Sequence, residues 1–236
     1  MKFTGTFLIL LFVSFSSFAT WSIILVDTKT GEIGIAGASC SYNCYGIGRI
    51  IPGKGAVIVQ AMSNNDARKK GLEMLEANAS PDQIIKALRD PEFDPEEQQY
   101  AVVSLNYLND SKTYTGTATH TYHGSLISRG VSVQGNTLTN KDELKIILET
   151  VLKGQKAGLR IDDILMLALE AGSIAGGDKR CGEQRATSAF MMVARPTDKP
   201  SKLYMELQFF GQKRGGTNAV TLLKGKYEKW KTNHPR

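Results

Sequence analysis

Thr20-Trp21-Ser22-Ile23-Ile24-Leu25-Val26-Asp27 decides how the rest of this chain is read. Residues 21–27 form a strand of core-like composition, closed by the turn residues Thr28-Lys29-Thr30-Gly31. Residues 32–39 return as a second strand whose small residues, Gly34, Ala36, Gly37 and Ala38, suit close packing. Upstream the sequence changes character. Lys2 is followed by Phe7-Leu8-Ile9-Leu10-Leu11-Phe12-Val13 and then by Ser17-Phe18-Ala19. A positive start, a short apolar run and small residues at the junction are the layout of a secretory signal peptide. The run is too short for a membrane span of ~20 residues. Residues 1–19 are therefore expected to be removed on export to the periplasm or the extracellular space. The mature chain, read as one domain over residues 20–236, then starts at Thr20.

Downstream, the apolar run 55–62 is a third strand, followed by helices over 66–77 and 81–88. Ser80 and Pro81 supply the N-cap and the first-turn proline of the second helix. Residues 90–97 read as a proline-interrupted loop. Residues 100–106 and 112–118 form a hairpin around Asn109-Asp110, and 130–134 is a further short strand. Asn140 is expected to cap a helix with the apolar stripe Leu144, Ile147, Leu148 and Val151. An apolar helix over 161–171, a Gly176-Gly177-Asp178 turn, strands over 186–194 and 202–210 and a last helix over 217–231 complete the chain. Runs of strands alternating with helix pairs predict an α+β fold, two packed and mainly antiparallel sheets covered by helices.

Composition narrows the function classes. The chain has 236 residues, 42% apolar and 22% charged, which excludes a disordered or fibrous protein. Three histidines leave little room for a His-rich metal site, and neither a metal nor a cofactor is expected. Three cysteines cannot build a disulfide-rich scaffold. In an oxidising compartment they suggest one bridge and one leftover thiol. The bridge would run from Cys40 or Cys44 to Cys181, with Cys40–Cys181 preferred; three buried thiols are the alternative. Residues 213–236 carry seven Lys/Arg and one Glu, a basic tail on a nearly neutral body. Such a tail is either a solvated helix or a contact for an anionic surface. No specific nucleic-acid partner is expected, and a homo-oligomer stays open.

Several motifs fail on inspection. Gly48-Arg49-Ile50-Ile51-Pro52-Gly53-Lys54 fits the start of a P-loop, but Gly55 stands where magnesium needs a hydroxyl, and a strand follows where phosphate needs a helix. No Gly-x-Ser-x-Gly elbow and no His-Glu-x-x-His helix occurs. His120 and His123 lack a Cys or carboxylate at zinc-ligand spacing. Arg68-Lys69-Lys70 reads as the solvated face of a helix, and Asp162-Asp163 as first-turn acids favoured by the helix dipole.

What survives is Thr20. A free N-terminal threonine carries a hydroxyl and an α-amine on adjacent carbons. The amine has a reference pKa of ~7.7–8, so a usable fraction is neutral near pH 7. It can take the hydroxyl proton as Oγ attacks a carbonyl, making one residue both nucleophile and base. The oxyanion then needs donors from neighbouring groups. A strand of core-like composition should hold this terminus in place.

Several segments also resemble an uncharacterised family, a domain of unknown function, in the N-terminal-nucleophile (Ntn) hydrolase superfamily. They are Thr20-Trp21-Ser22-Ile23-Ile24, Thr30-Gly31-Glu32-Ile33-Gly34-Ile35-Ala36 and Gly55-Ala56-Val57-Ile58-Val59-Gln60-Ala61. Gly71-Leu72, Val133-Gln134-Gly135-Asn136 and Ala175-Gly176-Gly177-Asp178-Lys179-Arg180 complete the likeness. The resemblance implies a four-layer αββα sandwich and an amidohydrolase-type site at the start of the first strand, acting on a small-molecule or peptide-like amide. It departs at Cys40, where the family often has a lysine after Ala38-Ser39. A disulfide through Cys40 would replace that charge with a staple.

On this reading Thr20 is the nucleophile. Gly135 and Asn136, expected just after a strand, are oxyanion-donor candidates; a glycine turn is their plainer role. Asp178 would hold the α-ammonium or orient a neighbour, or simply cap a turn. Ser39, a further catalytic candidate, and Gln60, a substrate- or oxyanion-binding candidate, end or line small-residue strands facing the expected cleft. A non-catalytic exported binding or assembly protein on the same fold is the alternative. A Ser/His hydrolase using His123 is a third reading.

Overall fold

The computed structural model describes residues 20–235. The expected leader, 1–19, lies outside the described residues. The elements in chain order are β1 (Thr20–Val26), β2 (Ile33–Ser39), β3 (Gly48–Ile51), β4 (Gly55–Ala61), α1 (Asn65–Glu76), α2 (Pro81–Leu88), β5 (Gln98–Ser104), β6 (Lys112–Thr115), β7 (Gly124–Ser128), β8 (Val131–Asn136), α3 (Glu143–Lys156), α4 (Ile161–Ala175), β9 (Ser188–Ala194), β10 (Met205–Phe209) and α5 (Ala219–Asn233). The strands form two antiparallel sheets. One has six strands in the order β10-β9-β2-β1-β8-β7, and the other has four in the order β3-β4-β5-β6.

The two-residue period of each strand sorts its side chains into layers. In β1, Trp21, Ile23 and Leu25 face α3, α4 and α5, in a core shared with Ile147, Leu165, Leu169 and Leu223. Ile24 and Val26 face the opposite way and meet Ile58, Ala101, Val103 and Phe190 between the sheets. On the far side of the four-stranded sheet, Val57, Val59, Tyr100 and Val102 pack on Ile84 and Leu88 of α2 and on Ala67 and Leu75 of α1. The architecture is therefore helix, sheet, sheet, helix, the four-layer sandwich expected. Each fully buried Ile, Leu or Val contributes roughly 1.5–3 kcal/mol, so three such layers hold the strands firmly.

Local chemistry explains the details. The small residues of β2 let α4 approach: a Cβ on Gly34 would lie 2.4 Å from Leu165 Cδ1. Gly172 in α4 makes room for the Trp21 indole, whose Nε1 would lie 2.6 Å from an added Cβ. Ser80 caps α2 in a capping box with Gln83, with Pro81 in the first turn. The Gly176-Gly177 turn has φ of +146° and +62°, conformations that favour glycine.

Some expectations are corrected. β3 and β7, both short, lie outside the strands that the sequence pattern predicts. Residues 90–97 are not irregular throughout but hold two 3-10 turns, Pro91–Phe93 and Pro95–Glu97. Asn140 is not the helix cap. α3 begins at Glu143 with Asp142 at its cap, and Asn140 shapes the lead-in by accepting from the Asp142 N–H at 2.9 Å. β8 runs through Asn136, so Gly135 and Asn136 lie inside the strand rather than after it. Gly135 is not a special-angle glycine either; a Cβ there would lie 2.9 Å from Leu138. The basic C-terminal segment is docked, with Val220, Leu223 and Tyr227 of α5 buried against the six-stranded sheet.

Among the described residues, Cys40 is bonded to Cys181, with Cα atoms 5.6 Å apart, and Cys44 is a buried free thiol. No helix of the described residues is long and apolar enough to cross a membrane.

Candidate active site

The inter-sheet layer is apolar over most of its length and polar at one end. Toward that end the inward positions include a run of hydroxyls and amides: Thr20 and Ser22 in β1, Ser39 in β2, Gln60 in β4, Gln99 in β5, and Gln134 and Asn136 in β8. All seven are at most 2% exposed. Polar groups buried this completely cost free energy unless they find partners, and here they do. Gln60 Oε1 accepts from Ser22 Oγ at 2.6 Å, and Gln134 Nε2 donates to Ser22 Oγ at 2.6 Å. Gln99 Oε1 accepts from Gln60 Nε2 and from Asn136 Nδ2, both at 2.9 Å. Gln99 Nε2 donates to the Gly135 carbonyl at 2.9 Å and to Thr115 Oγ1 at 3.0 Å. The network joins both sheets.

Thr20 lies at the head of this layer. It pairs with Ser39 on one side and Asn136 on the other, so neighbouring strands flank it. Gln60 Nε2 reaches its carbonyl at 3.4 Å. Although Thr20 is only 2% exposed, it lines a cleft of about 250 Å³ with Ser41, Cys44, Ala61, Met62, Ser63 and Arg68 among the other walls. Ala61 (φ 71°) and Ser63 (φ 57°) both take the left-handed conformation, unusual for residues with a Cβ. They turn the chain sharply between β4 and α1. Ser63 Oγ donates to the Val59 carbonyl at 3.1 Å.

The segment after α4 packs against the end of β2, the strand next to Thr20. Asp178 is fully buried. Its carboxylate accepts from the Cys40 N–H at 2.6 Å, from the Arg180 N–H and Nε at 3.0 and 3.1 Å, and from Arg180 Nη2 at 2.7 Å. Arg180 Nη2 also lies 3.5 Å from Ser39 Oγ. The Cys40–Cys181 bond fastens this segment to the residue after Ser39. A cation thus stands beside the partner strand of Thr20, supplied by Arg180.

The other thiol is no nucleophile. Burial pushes Cys44 up to about 12, and its Sγ faces the Gly37 carbonyl at 3.8 Å. His123 Nδ1 is engaged with Thr119 through Oγ1 at 2.6 Å and the carbonyl at 2.8 Å, and is not among the residues lining the Thr20 cleft. No group of three or more His, Cys, Asp or Glu among the described residues is arranged to hold a metal ion.

Of the residues singled out from sequence, Thr20, Ser39, Gln60, Asn136 and Asp178 come together at one end of the sandwich. Gly135 belongs to the ladder, and its carbonyl serves Gln99. Sequence reasoning missed Gln99 and Ser22, and it misplaced Arg68, which lines the cleft instead of lying on an outer helix face. The signal for Gln99 was available: it occupies the inward register with Ala101 and Val103.

The site is a buried threonine at a strand tip, lining a cleft at one end of an αββα sandwich. Residues 20–213 match a family of unknown function, DUF1028, and the chain belongs to that family. The crystal structure of protein SPO2555 from Silicibacter pomeroyi, assigned to the same family, superposes with a TM-score of 0.74 at 23% identity, covering 90% of this chain and 89% of that one. That likeness bears on the fold. No curated protein matched the chain.

Proposed function

We propose that this protein is an exported N-terminal-nucleophile hydrolase that cleaves a small amide with Thr20. The carrying observation is that Thr20, the first residue of β1, is packed between Ser39 and Asn136 yet lines a cleft. A frayed terminus would be useless for catalysis, whereas a strand tip fixed on both sides is preorganised. The family match also opens at Thr20. The disulfide and the lack of a spanning helix among the described residues agree with an exported chain.

Removal of residues 1–19 frees the Thr20 α-amine. Oγ attacks the amide carbon while its proton passes to that amine. The carbonyl electrons move onto oxygen, where Asn136, the strand neighbour of Thr20, is the donor this reading assigns. The C–N bond then breaks, the departing amine takes the proton back, and an ester remains on Oγ. Water, deprotonated by the same α-amine, hydrolyses the ester and restores Thr20. The Arg180 guanidinium stands by Ser39, the strand neighbour of Thr20, and is itself paired with Asp178.

The alternative, a non-catalytic binding protein, is favoured by one feature: Asp178 already neutralises Arg180. One experiment separates the two. The secreted protein should read Thr-Trp-Ser-Ile on N-terminal sequencing and be acylated by a β-lactone probe. Thr20→Ala should abolish that labelling. A different mature start, or equal labelling of the variant, would exclude Thr20 as nucleophile.

A further inference from the structure

Among the described residues, Arg68 is the only charged side chain lining the Thr20 cleft. Its partners are neutral: Nη1 donates to Ser63 Oγ at 3.3 Å, and Nη2 donates to Asn65 Oδ1. No carboxylate forms an ion pair with it among the described residues. Those two contacts fix its direction. Ser63 is anchored through Val59, and Asn65 sits on the same helix one turn earlier. A partly buried guanidinium without a counter-charge is an unusual choice for a structural residue, since the charge loses hydration and gains no ion pair. Burial lowers its pKa, and the neighbouring Arg49 charge adds to that effect. An anion in the cleft would offset both. The remaining polar walls, Ser41, Asn43 and Asn65, are neutral and supply donors without opposing charge.

We propose that Arg68 is the carboxylate-binding residue of the Thr20 cleft, so that the ligand is a small amide bearing a free carboxylate. This rests on the cleft being the reactive site, and it names the substrate class that the site takes. The planar guanidinium fork suits a carboxylate held in two parallel hydrogen bonds. Held there, the carboxylate anchors the substrate at the α1 wall while the amide lies toward Thr20.

The test uses the mature Thr20→Ala chain, in which turnover is removed and the cleft is kept. Glutaryl-p-nitroanilide and its neutral counterpart valeryl-p-nitroanilide are titrated by calorimetry. The anionic ligand should bind about tenfold more tightly or better, the scale of one charge-assisted contact. The preference should vanish in Thr20→Ala/Arg68→Gln and survive in part in Thr20→Ala/Arg68→Lys, which keeps the charge without the fork. Equal binding of the two ligands, binding of neither at millimolar concentration, or a preference that survives Arg68→Gln would overturn the proposal. If the preference holds while the Thr20 chain neither turns over nor labels, the carboxylate site stands and the nucleophile reading falls.

Discussion

Gln60 crosses from the four-stranded sheet to the six-stranded one and donates to the backbone carbonyl of Thr20 at 3.4 Å. Its other contacts, to Ser22 and Gln99, make it the hinge pin of the polar end of the layer. Gln60→Leu would leave the Ser22 hydroxyl proton without an acceptor in a site closed to water. It should cost about 1–3 kcal/mol, the desolvation cost of an unmet buried polar group. Urea melts of wild type and variant read this directly, and a change below about 0.5 kcal/mol would show the contacts to be passive.

Asp178 and Arg180 are unequal partners: the carboxylate is fully buried and the guanidinium is about a quarter exposed. Arg180→Met strips a buried charge of its counter-ion and should destabilise by about 2–4 kcal/mol. Adding Asp178→Asn, which removes the charge but keeps an oxygen for the Cys40 N–H, should return part of that loss. No recovery in the double variant would mean that Arg180 acts by packing alone.

Glu143 is buried at the first turn of α3, and neither carboxyl oxygen makes a well-formed hydrogen bond, the Gly177 N–H offsetting its burial only in part. Burial above all, with the Asp178 charge adding to it, pushes its pKa up to about 8. The unfolded chain titrates near ~4.3. Between these values the folded state holds a proton that the unfolded state has released, so stability falls as pH rises. The contribution is fully present below the lower value and gone above the upper one. Glu143→Gln should flatten this part of the profile, by about 2–4 kcal/mol across the window. Denaturation midpoints at low and mildly alkaline pH give the answer, and parallel profiles for the two proteins would refute it.

The Cys40–Cys181 bond spans 141 residues. In the chain-entropy model a loop of that size is worth about 4–5 kcal/mol. Reductant should lower the wild-type melting temperature and leave a Cys40→Ser/Cys181→Ser variant unmoved. Since Cys181 follows Arg180, that variant should also lose β-lactone labelling faster than it loses structure by circular dichroism. Full labelling in the variant would show that the staple serves the fold alone.

The sequence made some levels of this structure readable and hid others. The β1–β2 hairpin was legible because both strands are buried on both faces and contain little that is polar. The pairing of helix runs with strand runs was enough to predict two covered sheets. β3 and β7 escaped because four or five residues hold too little periodicity, and β3 lay inside a stretch resembling a phosphate loop. Gly135 and Asn136 were placed after β8 because Gly and Asn are turn formers in isolation, whereas packing against Leu138 requires the glycine in the strand. Asp178 was visible as a candidate, but its engagement with the Cys40 N–H depends on contact across 138 positions. Arg68 was masked by Lys69 and Lys70. Charge alone makes all three look solvated, and only the sharp backbone turn at Ala61 and Ser63 brings the first of them over the cleft.

The docked helix α5 bears on how this chain can be shortened. Tyr227 donates to Asp162 at 3.0 Å and Asp163 at 2.7 Å on α4, Lys231 pairs with Asp163, and Lys224 holds Glu170 at 2.8 Å. Residue 213, where the family match stops, precedes Lys224, Tyr227 and Lys231, the α5 side of all these contacts. Trimming the protein at that border would strip the roof from β9 and β10, leave two acidic side chains without their cationic partners, and bare apolar surface through which copies would clump.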